Sequence, residues 1–333
     1  MYDYKSIKHV HLEISTKCNA ACPLCPRNFF GVDVIDDYPL VDMSLEQAKQ
    51  IFTYDFLNQL QRIDINGNLG DFVTAKDGLE IVKYFRNLNK NLHIEISTNA
   101  SAKPQIWEEL AKLNICVTFD LDGLEDTHKL YRQNTNWNLI IKNAKKFINA
   151  GGYATWKMIK FDHNNHQVEE CRKLSEILGF KKFDYVDHGR SNGPVFNKNK
   201  ELSHTLGNPT QSLDFNIAYQ LQKNHRERVV TSPLDFYKIK TKISNNITCK
   251  MKEMQSIYIT AHGQVYPCCW TGFYPDQMFH EGNEQIVKIK GNNNALEVGI
   301  EKAMDWFVPL QETWTKKSYE EGSLFICNSV CGN

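Results

Sequence analysis

Three cysteines near the start of the chain are spaced closely enough to hold a metal cluster. Cys18, Cys22 and Cys25 form a C-x₃-C-x₂-C run directly after a short apolar segment. Three such thiolates can bind three irons of a cubane [4Fe–4S] cluster and leave the fourth iron open. Because a small molecule can chelate an open iron, the spacing indicates catalysis as well as metal storage. Zinc is the alternative, since C-x₂-C pairs also occur in zinc ribbons.

Overall composition limits the classes of function. The 333 residues are 41% hydrophobic and 23% charged, with 39 basic and 39 acidic residues and a net charge of zero. That balance argues against a phosphate-tracking nucleic-acid surface. No apolar run approaches membrane-spanning length, and the N-terminus lacks a signal-peptide core. We therefore expect a cytoplasmic protein without a membrane or nucleic-acid partner, in which clustered thiols bind metal in preference to forming disulfides.

The elements that must position these thiols alternate between strand and helix. Strand patterns occupy residues 9–15, 62–66, 92–97, 115–121, 153–160 and 182–187, and helix patterns occupy 44–58, 74–89, 104–113, 137–150 and 165–178. Such alternation predicts βα units around a parallel sheet. In sheets of this kind, ligands gather at the carboxyl ends of the strands, which is where the cysteine run falls.

The cysteine run resembles the signature of the radical S-adenosylmethionine (SAM) superfamily. Residues 119–132, with Asp120, Asp122-Gly123, His128 and Arg132, resemble the S-x-D-G…H…R stretch of its peptide- and sugar-modifying branch. The resemblance implies a partial (β/α)₆ TIM-like barrel. It also implies that the open iron binds the amino and carboxylate groups of SAM. The reduced cluster then cleaves SAM to methionine and a 5′-deoxyadenosyl radical, which takes a hydrogen atom from substrate.

By the same resemblance, residues at successive strand ends would contact SAM. The loop 66–71 stands at the place of a Gly-Gly-Glu-type motif, 97–99 at that of a Thr-Asn-Gly motif, and Arg132 would pair with the SAM carboxylate. The implied cofactor-binding residues are Gly67, Gly70, Asp71, Ser97, Asn99, Asp120 and Arg132. A plain Asn-Gly turn at 66–67 and an Asx turn at Asp122 are the structural alternatives.

Five further cysteines lie in the C-terminal third. Cys249, Gly263 and Cys268 form a C-x₁₃-G-x₄-C pattern around a predicted hairpin, which resembles the opening of the SPASM/twitch auxiliary-cluster domain. Adjacent side chains of an extended chain point to opposite sides, so Cys268 and Cys269 are not both expected at one cluster. We assign a second [4Fe–4S] cluster to four thiols and leave Cys269 as a spare, with structural zinc as the alternative. The four are Cys249, Cys268, Cys327 and Cys331.

Three segments follow from these patterns. Residues 1–190 would form the radical SAM partial barrel, 191–245 a linker or capping segment, and 246–333 a small cysteine-rich α+β domain of the twitch type. Only seventeen residues precede Cys18, so no peptide-recognition domain is expected ahead of the barrel. This favours a small polar substrate or direct recognition of a short peptide.

The expected reaction is oxidation of a substrate C–H, with the second cluster accepting an electron. A flavodoxin or ferredoxin would supply the reducing electron. A peptide maturase that forms a C–C, C–S or C–N link and a non-catalytic zinc-binding adaptor are the alternatives. Loss of a substrate proton would require a base, for which residue type and location give only weak candidates. These are Asp187, His188, Tyr258 and His262.

Overall fold

The computed structural model describes residues 3–25, 27–34, 39–187, 193–208, 212–221, 247–272 and 283–332. The chain divides into two compact units. The first unit comprises Ile14–Leu45 and Asp64–Tyr219. The second unit comprises Met1–Glu13, Glu46–Ile63 and Gln220–Asn333. The sequence predicts three consecutive segments, whereas each of these two units combines stretches that are distant along the chain. The boundaries of the three segments stay a prediction.

Parallel strands joined by helices build the first unit. Its strand order is β4, β5, β6, β7, β8, with residues 64–66 of β4 in this unit. The strands are β4 (Arg62–Asn66), β5 (His93–Thr98), β6 (Cys116–Asp120), β7 (Tyr153–Lys160) and β8 (Lys182–Asp187). The helices between them are α3 (Gly78–Leu88), α4 (Trp107–Lys112), α5 (Glu125–Tyr131), α6 (Trp137–Asn149) and α7 (Val168–Leu178). Adjacent parallel strands require crossover connections, which these helices provide. The observed strands and helices confirm the predicted α/β fold.

Aromatic side chains on successive strands fill the core of the first unit. Phe119 of β6 pairs in register with Trp156 of β7, and Trp156 pairs with Phe183 of β8. Phe119 and Trp156 are fully buried, and Phe119 also contacts Trp107 of α4 at a ring-centroid distance of 5.4 Å. Because these aromatic side chains face the core, the register of the strands is fixed. The register in turn determines which polar residues lie at the strand ends.

Short paired strands also lie outside this parallel set. The first unit contains β2 (Asn28–Phe29) with β3 (Asp33–Val34), and β9 (Gly193–Phe196) with β10 (Leu202–Leu206), both antiparallel. The second hairpin lies in the segment that the sequence predicts as a linker or cap. Its Val195 and Leu206 are buried in the same hydrophobic cluster as Cys22.

The described residues of the second unit include three adjacent strands. β1 (His9–Leu12) runs parallel to β11 (Ser256–Ile259), which forms an antiparallel hairpin with β12 (Val265–Tyr266). Gly263 closes the hairpin with φ +82°, a backbone conformation that favours glycine, and confirms the predicted turn. The helices are α1 (Leu45–Ile51), α2 (Tyr54–Gln59), α8 (Lys250–Glu253), α9 (Asn283–Ile289), α10 (Ala295–Val298), α11 (Ile300–Ala303), α12 (Phe307–Glu312) and α13 (Phe325–Cys331).

Predicted and observed helices differ in extent, most clearly at two places. The pattern at 44–58 is two helices, because Thr53 starts a new one by accepting a hydrogen bond from the Phe56 backbone N–H at 3.3 Å. The helix expected from residue 74 begins at Gly78, after a 3₁₀ turn at Phe72–Thr74 that Asp71 caps. Local hydrogen bonding by Thr53 and Asp71 overrides the apolar periodicity at both places.

Candidate metal and cofactor sites

The three cysteines of the N-terminal run come together in the first unit. Cys22 is buried in a cluster with Tyr131 and Phe161, and Cys18 and Cys25 pack against the same cluster. Burial raises the pKa of the Cys18 thiol above its ordinary value, and the neighbouring Asp71 and Cys22 raise it further. A buried thiol of this kind loses its proton when a metal cation binds to the sulfur. The donor set therefore fits the iron of a cluster.

Close backbone contact explains the glycines that follow β4. A Cβ atom on Gly70 would overlap the backbone carbonyl of Ser15, and one on Gly67 would overlap the backbone of Gly70. The next residue, Asp71, donates its backbone N–H to the Lys17 carbonyl at 2.8 Å. The glycine loop is thus packed onto the backbone that leads into Cys18. The predicted approach of Gly67 and Gly70 to SAM stays a prediction.

Asp71 joins the ends of two strands. Its carboxylate accepts hydrogen bonds from Thr98 Oγ1 at 2.5 Å, from the Asn99 backbone N–H at 2.8 Å and from the Val73 backbone N–H at 3.0 Å. Burial raises the pKa of Asp71, and these hydrogen bonds oppose the rise. Thr98 makes the contact because it lies on the buried side of β5, whereas Ser97 points to the other side.

An amide side chain stands beside the first thiol. Asn99 is buried, and its Nδ2 lies 3.7 Å from Cys18 Sγ and 3.0 Å from Asn19 Oδ1. Amide N–H groups directed at sulfur are among the contacts that set the properties of iron–sulfur centres. In the same region Asn68 Nδ2 is buried and has no hydrogen-bond partner among the described residues. Asn68 therefore leaves a polar atom available where the sequence predicts a ligand, whereas the Asn99 amide is used within the protein.

A buried ion pair follows β6. Asp122 has no solvent exposure, and its two carboxylate oxygens accept hydrogen bonds from Arg132 Nε at 2.5 Å and from the Ile159 backbone N–H at 2.6 Å. Burial alone lowers the pKa of Arg132, but the carboxylates of Asp122 and Asp120 outweigh it and raise the pKa well above its ordinary value. The guanidinium is therefore a permanent cation. Asp122 holds it through Nε, which orients the remaining guanidinium nitrogens.

His128 holds this ion pair in place as a neutral ring. Its Nδ1 accepts from the Asp122 backbone N–H at 3.1 Å, so Nε2 carries the proton and donates to Thr135 Oγ1 at 3.0 Å. Thr135 in turn donates to the Arg132 carbonyl at 2.5 Å. Burial lowers the pKa of His128 to about 4, which keeps the ring uncharged beside the arginine. The histidine of the sequence motif is thus a structural member of the turn.

Asp120 is the titratable carboxylate of this group. Burial raises its pKa to about 6, and Asp122 adds to the rise, while Arg132 opposes it. The distance from its Oδ2 to Arg132 Nη2 is 3.8 Å, longer than a hydrogen bond. The Asp120 carboxylate is consequently held less closely by protein groups than that of Asp122. A carboxyl with a pKa near 6 can change protonation close to neutral pH.

The four cysteines assigned to a second cluster line one pocket in the second unit. Apolar residues make up most of the remaining wall, among them Leu310 and Ile326. Burial raises the pKa of Cys268 to about 12 and also raises the pKa of Cys327. The four cysteines are Cys249, Cys268, Cys327 and Cys331. Four converging thiols form a suitable donor set for a fully ligated cluster.

Cys269 lies outside that pocket wall. Burial raises the pKa of its thiol, and the carboxylate of Glu13 adds a smaller rise. Within the described ranges, no three His, Cys, Asp or Glu side chains already stand in the geometry of a single-ion site. The assignment of cluster ligands therefore rests on convergence of the thiols in each unit and stays a prediction.

The weak candidates for a base are dispersed. Asp187 is exposed and forms an ion pair with Lys160 at 2.6 Å, whereas His188 lies outside the described residues. His262 lies in the hairpin turn between β11 and β12. Only Tyr258 is buried with another functional group, because its hydroxyl donates to Glu13 Oε2 at 2.6 Å. Sequence analysis missed Glu13, whose only local signal is a carboxylate directly after the last residue of β1.

Comparison with known proteins identifies the class of the first unit's site. Residues 12–174 match the model of the radical SAM superfamily. The chain therefore carries a radical SAM domain, and the reactions of that superfamily use a [4Fe–4S] cluster and SAM. In the part of the chain that the structure describes, no helix is long and apolar enough to cross a membrane.

Particular relatives share part of the chain or its fold. The FeMo cofactor biosynthesis protein NifB of Methanocaldococcus jannaschii is 27% identical over 127 residues, which are 37% of this chain and 42% of NifB. Streptococcus suis SuiB bound to S-adenosylmethionine matches with TM-score 0.53 and 16% identity, over 84% of this chain and 64% of SuiB. The anSMEcpe protein with bound AdoMet matches with TM-score 0.57 and 14% identity, over 93% and 81%. The structural matches confirm the partial-barrel fold.

Proposed function

We propose that this chain is a two-cluster radical SAM enzyme that oxidises a C–H bond of a short peptide or small polar molecule. Cys18, Cys22 and Cys25 would hold the SAM-binding cluster, and the four-cysteine pocket would hold the second. When bound, the first cluster supplies the electron that cleaves SAM to methionine and a 5′-deoxyadenosyl radical. The protein's task is to orient SAM and substrate and to exclude water.

The convergence of three thiols with the strand-end network carries this proposal. Arg132 is a buried permanent cation fixed by Asp122, which suits the carboxylate of SAM. Asn99 and Asn68 add amide groups near the cysteine loop. Asp71 spends both carboxylate oxygens on the protein, so we assign it the role of positioning Asn99 rather than of binding the SAM amine.

Two observations support a peptide-type substrate. SuiB has been crystallised with the precursor peptide SuiA, and anSMEcpe with the Kp18Cys peptide. Both share the fold of this chain at 15% identity. A small polar molecule remains the other substrate that the proposal includes. The second cluster would take up the electron left on the substrate after hydrogen abstraction, so the net reaction removes two electrons.

Anaerobic reconstitution with iron and sulfide tests the proposal. Dithionite and SAM are then added, and 5′-deoxyadenosine is measured by chromatography for the wild type and for Cys22→Ala. We expect 5′-deoxyadenosine from the wild type only. A colourless protein that takes up zinc and no iron would instead establish a zinc-binding adaptor. An assembled, reducible cluster that yields no 5′-deoxyadenosine with or without a peptide library would contradict SAM cleavage.

A further inference from the structure

A basic groove runs along the outer surface of two helices in the first unit. It is formed by α4 and α6 and has a volume of about 670 Å³. Four lysines line it, together with one acidic residue, Glu108. The lysines are Lys112, Lys142, Lys145 and Lys146. A local excess of positive charge in a chain with no net charge marks this surface as distinct from the rest.

The positive charges of the groove are mostly uncompensated. Lys112, Lys142 and Lys145 are exposed and form no ion pair within hydrogen-bond distance in the described residues. Lys112 interacts electrostatically with Glu109, whose pKa it helps to lower, so Lys142 and Lys145 are the cations without a nearby carboxylate partner. Lys146 donates to the Pro104 carbonyl at 2.8 Å, a bond that holds the side chain without neutralising it. Lys83, by contrast, pairs with two carboxylates on the neighbouring surface. The groove therefore keeps free cations for an outside partner.

Hydrogen bonds connect α6 to the segment that follows β5. Asn143 lies on the buried side of α6, and its Nδ2 donates to the carbonyls of Ala100 at 2.8 Å and Ala102 at 3.1 Å. Ala100 directly follows Asn99, whose Nδ2 lies 3.7 Å from Cys18 Sγ. The helix that presents lysines is thus fixed to the segment directly after Asn99, the residue beside the first thiol of the predicted cluster.

We propose that this groove docks an acidic one-electron donor protein. The inference rests on the proposed function, because cleavage of SAM consumes one electron that this chain must receive from outside. The reduced donor is oxidised by one electron. That electron is consumed as the C5′–S bond of SAM breaks. Charge complementarity selects the donor, since lysines that are free in the groove attract a surface rich in carboxylates.

Kinetics with two reductants test the docking site. SAM cleavage is measured with an acidic flavodoxin in its reduced form and, separately, with dithionite, which needs no docking surface. For Lys142→Glu/Lys145→Glu we expect at least a tenfold lower kcat/KM for flavodoxin and an unchanged rate with dithionite. The wild-type value for flavodoxin should fall as salt is raised, and the variant should lose most of that salt dependence.

Two variants keep the test specific. Lys173→Glu/Lys181→Glu makes the same change of charge elsewhere on the first unit and should leave both rates unchanged. Lys142→Gln/Lys145→Gln should show an intermediate loss and replaces the glutamate variant should that one fail to fold. Equilibrium binding of oxidised flavodoxin to the protein gives a readout independent of turnover, with an expected tenfold rise in Kd for the glutamate variant.

The alternative outcomes separate this inference from the proposed function. Equal losses with flavodoxin in the groove and control variants, or no loss in either, would overturn the docking site. No cleavage by the wild type with dithionite would instead overturn the proposed function. Binding of a duplex oligonucleotide that is abolished by the groove variant, with flavodoxin kinetics unchanged, would reassign the groove to nucleic acid.

Discussion

The two cysteine sites differ most in what surrounds the thiols. In the first unit, strand ends deliver a buried ion pair, a buried carboxylate and an amide next to the cysteine loop, through Arg132, Asp122, Asp71 and Asn99. In the second unit the pocket wall is largely apolar, and Thr271 provides the one hydroxyl that the described residues place near Cys268, with Oγ1 3.6 Å from its Sγ.

This difference corresponds to the number of thiols. A site with three thiols needs polar groups to receive a charged ligand at the fourth iron, and those groups must be held because buried charges are costly when unpaired. A site with four thiols needs no such groups, and an apolar wall excludes water and other ligands. We therefore interpret the first site as built for a ligand and the second as built for a closed cluster.

Removing one thiol from each site gives the largest expected effect. The wild type should bind about eight irons per chain, and Cys18→Ala and Cys327→Ala about four each, since each variant loses one [4Fe–4S] cluster. Cys18→Ala should also lose SAM binding and 5′-deoxyadenosine formation. Cys327→Ala should retain both in the absence of substrate. Iron analysis and calorimetric SAM binding make the measurement, and loss of both clusters in either variant would show that the sites are not independent.

Replacing a glycine tests how tightly the first site is packed. In Gly70→Ala the new Cβ would meet the Ser15 carbonyl, so backbone beside the cysteine loop must move. We expect a loss of about 3 kcal/mol in the free energy of unfolding, at the upper end for overpacking, together with lower iron content. Gly291→Ala in the second unit is the control, because its Cβ meets nothing within 4 Å. Similar urea midpoints for the two variants would contradict the packing argument.

Patterns that repeat along the chain predicted the fold and the thiols. Strand and helix alternation is a local signal, and so is cysteine spacing, which is why the strand positions and Cys18, Cys22 and Cys25 could be read from the sequence. Contacts between distant residues have no such local signal. Tyr258 and Glu13 are 245 residues apart, and nothing in either neighbourhood predicts their hydrogen bond.

Small differences in side-chain placement could not be predicted from the sequence either. The motif at 97–99 contains two hydroxyl residues, and only the burial alternation of β5 decides that Thr98 reaches Asp71 while Ser97 does not. The sequence predicts Asp71 as a ligand for SAM because an acidic side chain can accept a charge-assisted hydrogen bond from the SAM ammonium, and that role stays a prediction. The structure shows that both its oxygens are used to join two strand ends, a role that depends on the register of neighbouring strands.

Acidification should destabilise the first site through His128. Its pKa is about 4 in the folded protein and about 6.5 when unfolded, so the unfolded state binds the proton first as pH falls. The part of the free energy of unfolding that depends on neutral His128 is fully present above pH 6.5 and is lost progressively down to about pH 4. Between pH 7.5 and pH 5 this loss is about 2 kcal/mol. Asp120, with its raised pKa, acts in the opposite direction below pH 6. Urea denaturation of wild type and His128→Asn at both pH values isolates the histidine.

The variant His128→Asn keeps an oxygen that can accept from the Asp122 backbone N–H but cannot take up a proton. It should be less stable than wild type at pH 7.5, because the hydrogen bond to Thr135 is lost, and the difference should shrink toward pH 5. A difference that stays constant with pH would mean that His128 contributes no proton-linked stability. Because the second site has no buried histidine among its described wall residues, its iron retention should not follow this pH dependence.

The smallest expected effect concerns the second site and its indole. Trp314 Nε1 is buried, meets no acceptor in hydrogen-bond geometry among the described residues, and lies near Cys327, whose raised pKa it partly lowers. An N–H dipole close to a ligating sulfur stabilises the reduced cluster electrostatically, by about 1 kcal/mol or about 40 mV for one electron. Trp314→Phe should therefore make the potential of the second cluster more negative by that amount in an EPR-monitored titration. Trp270→Phe changes a half-exposed indole of the same pocket and should leave the potential unchanged. Equal shifts in the two variants would assign the effect to altered packing, and the potential of the first cluster should stay constant in both.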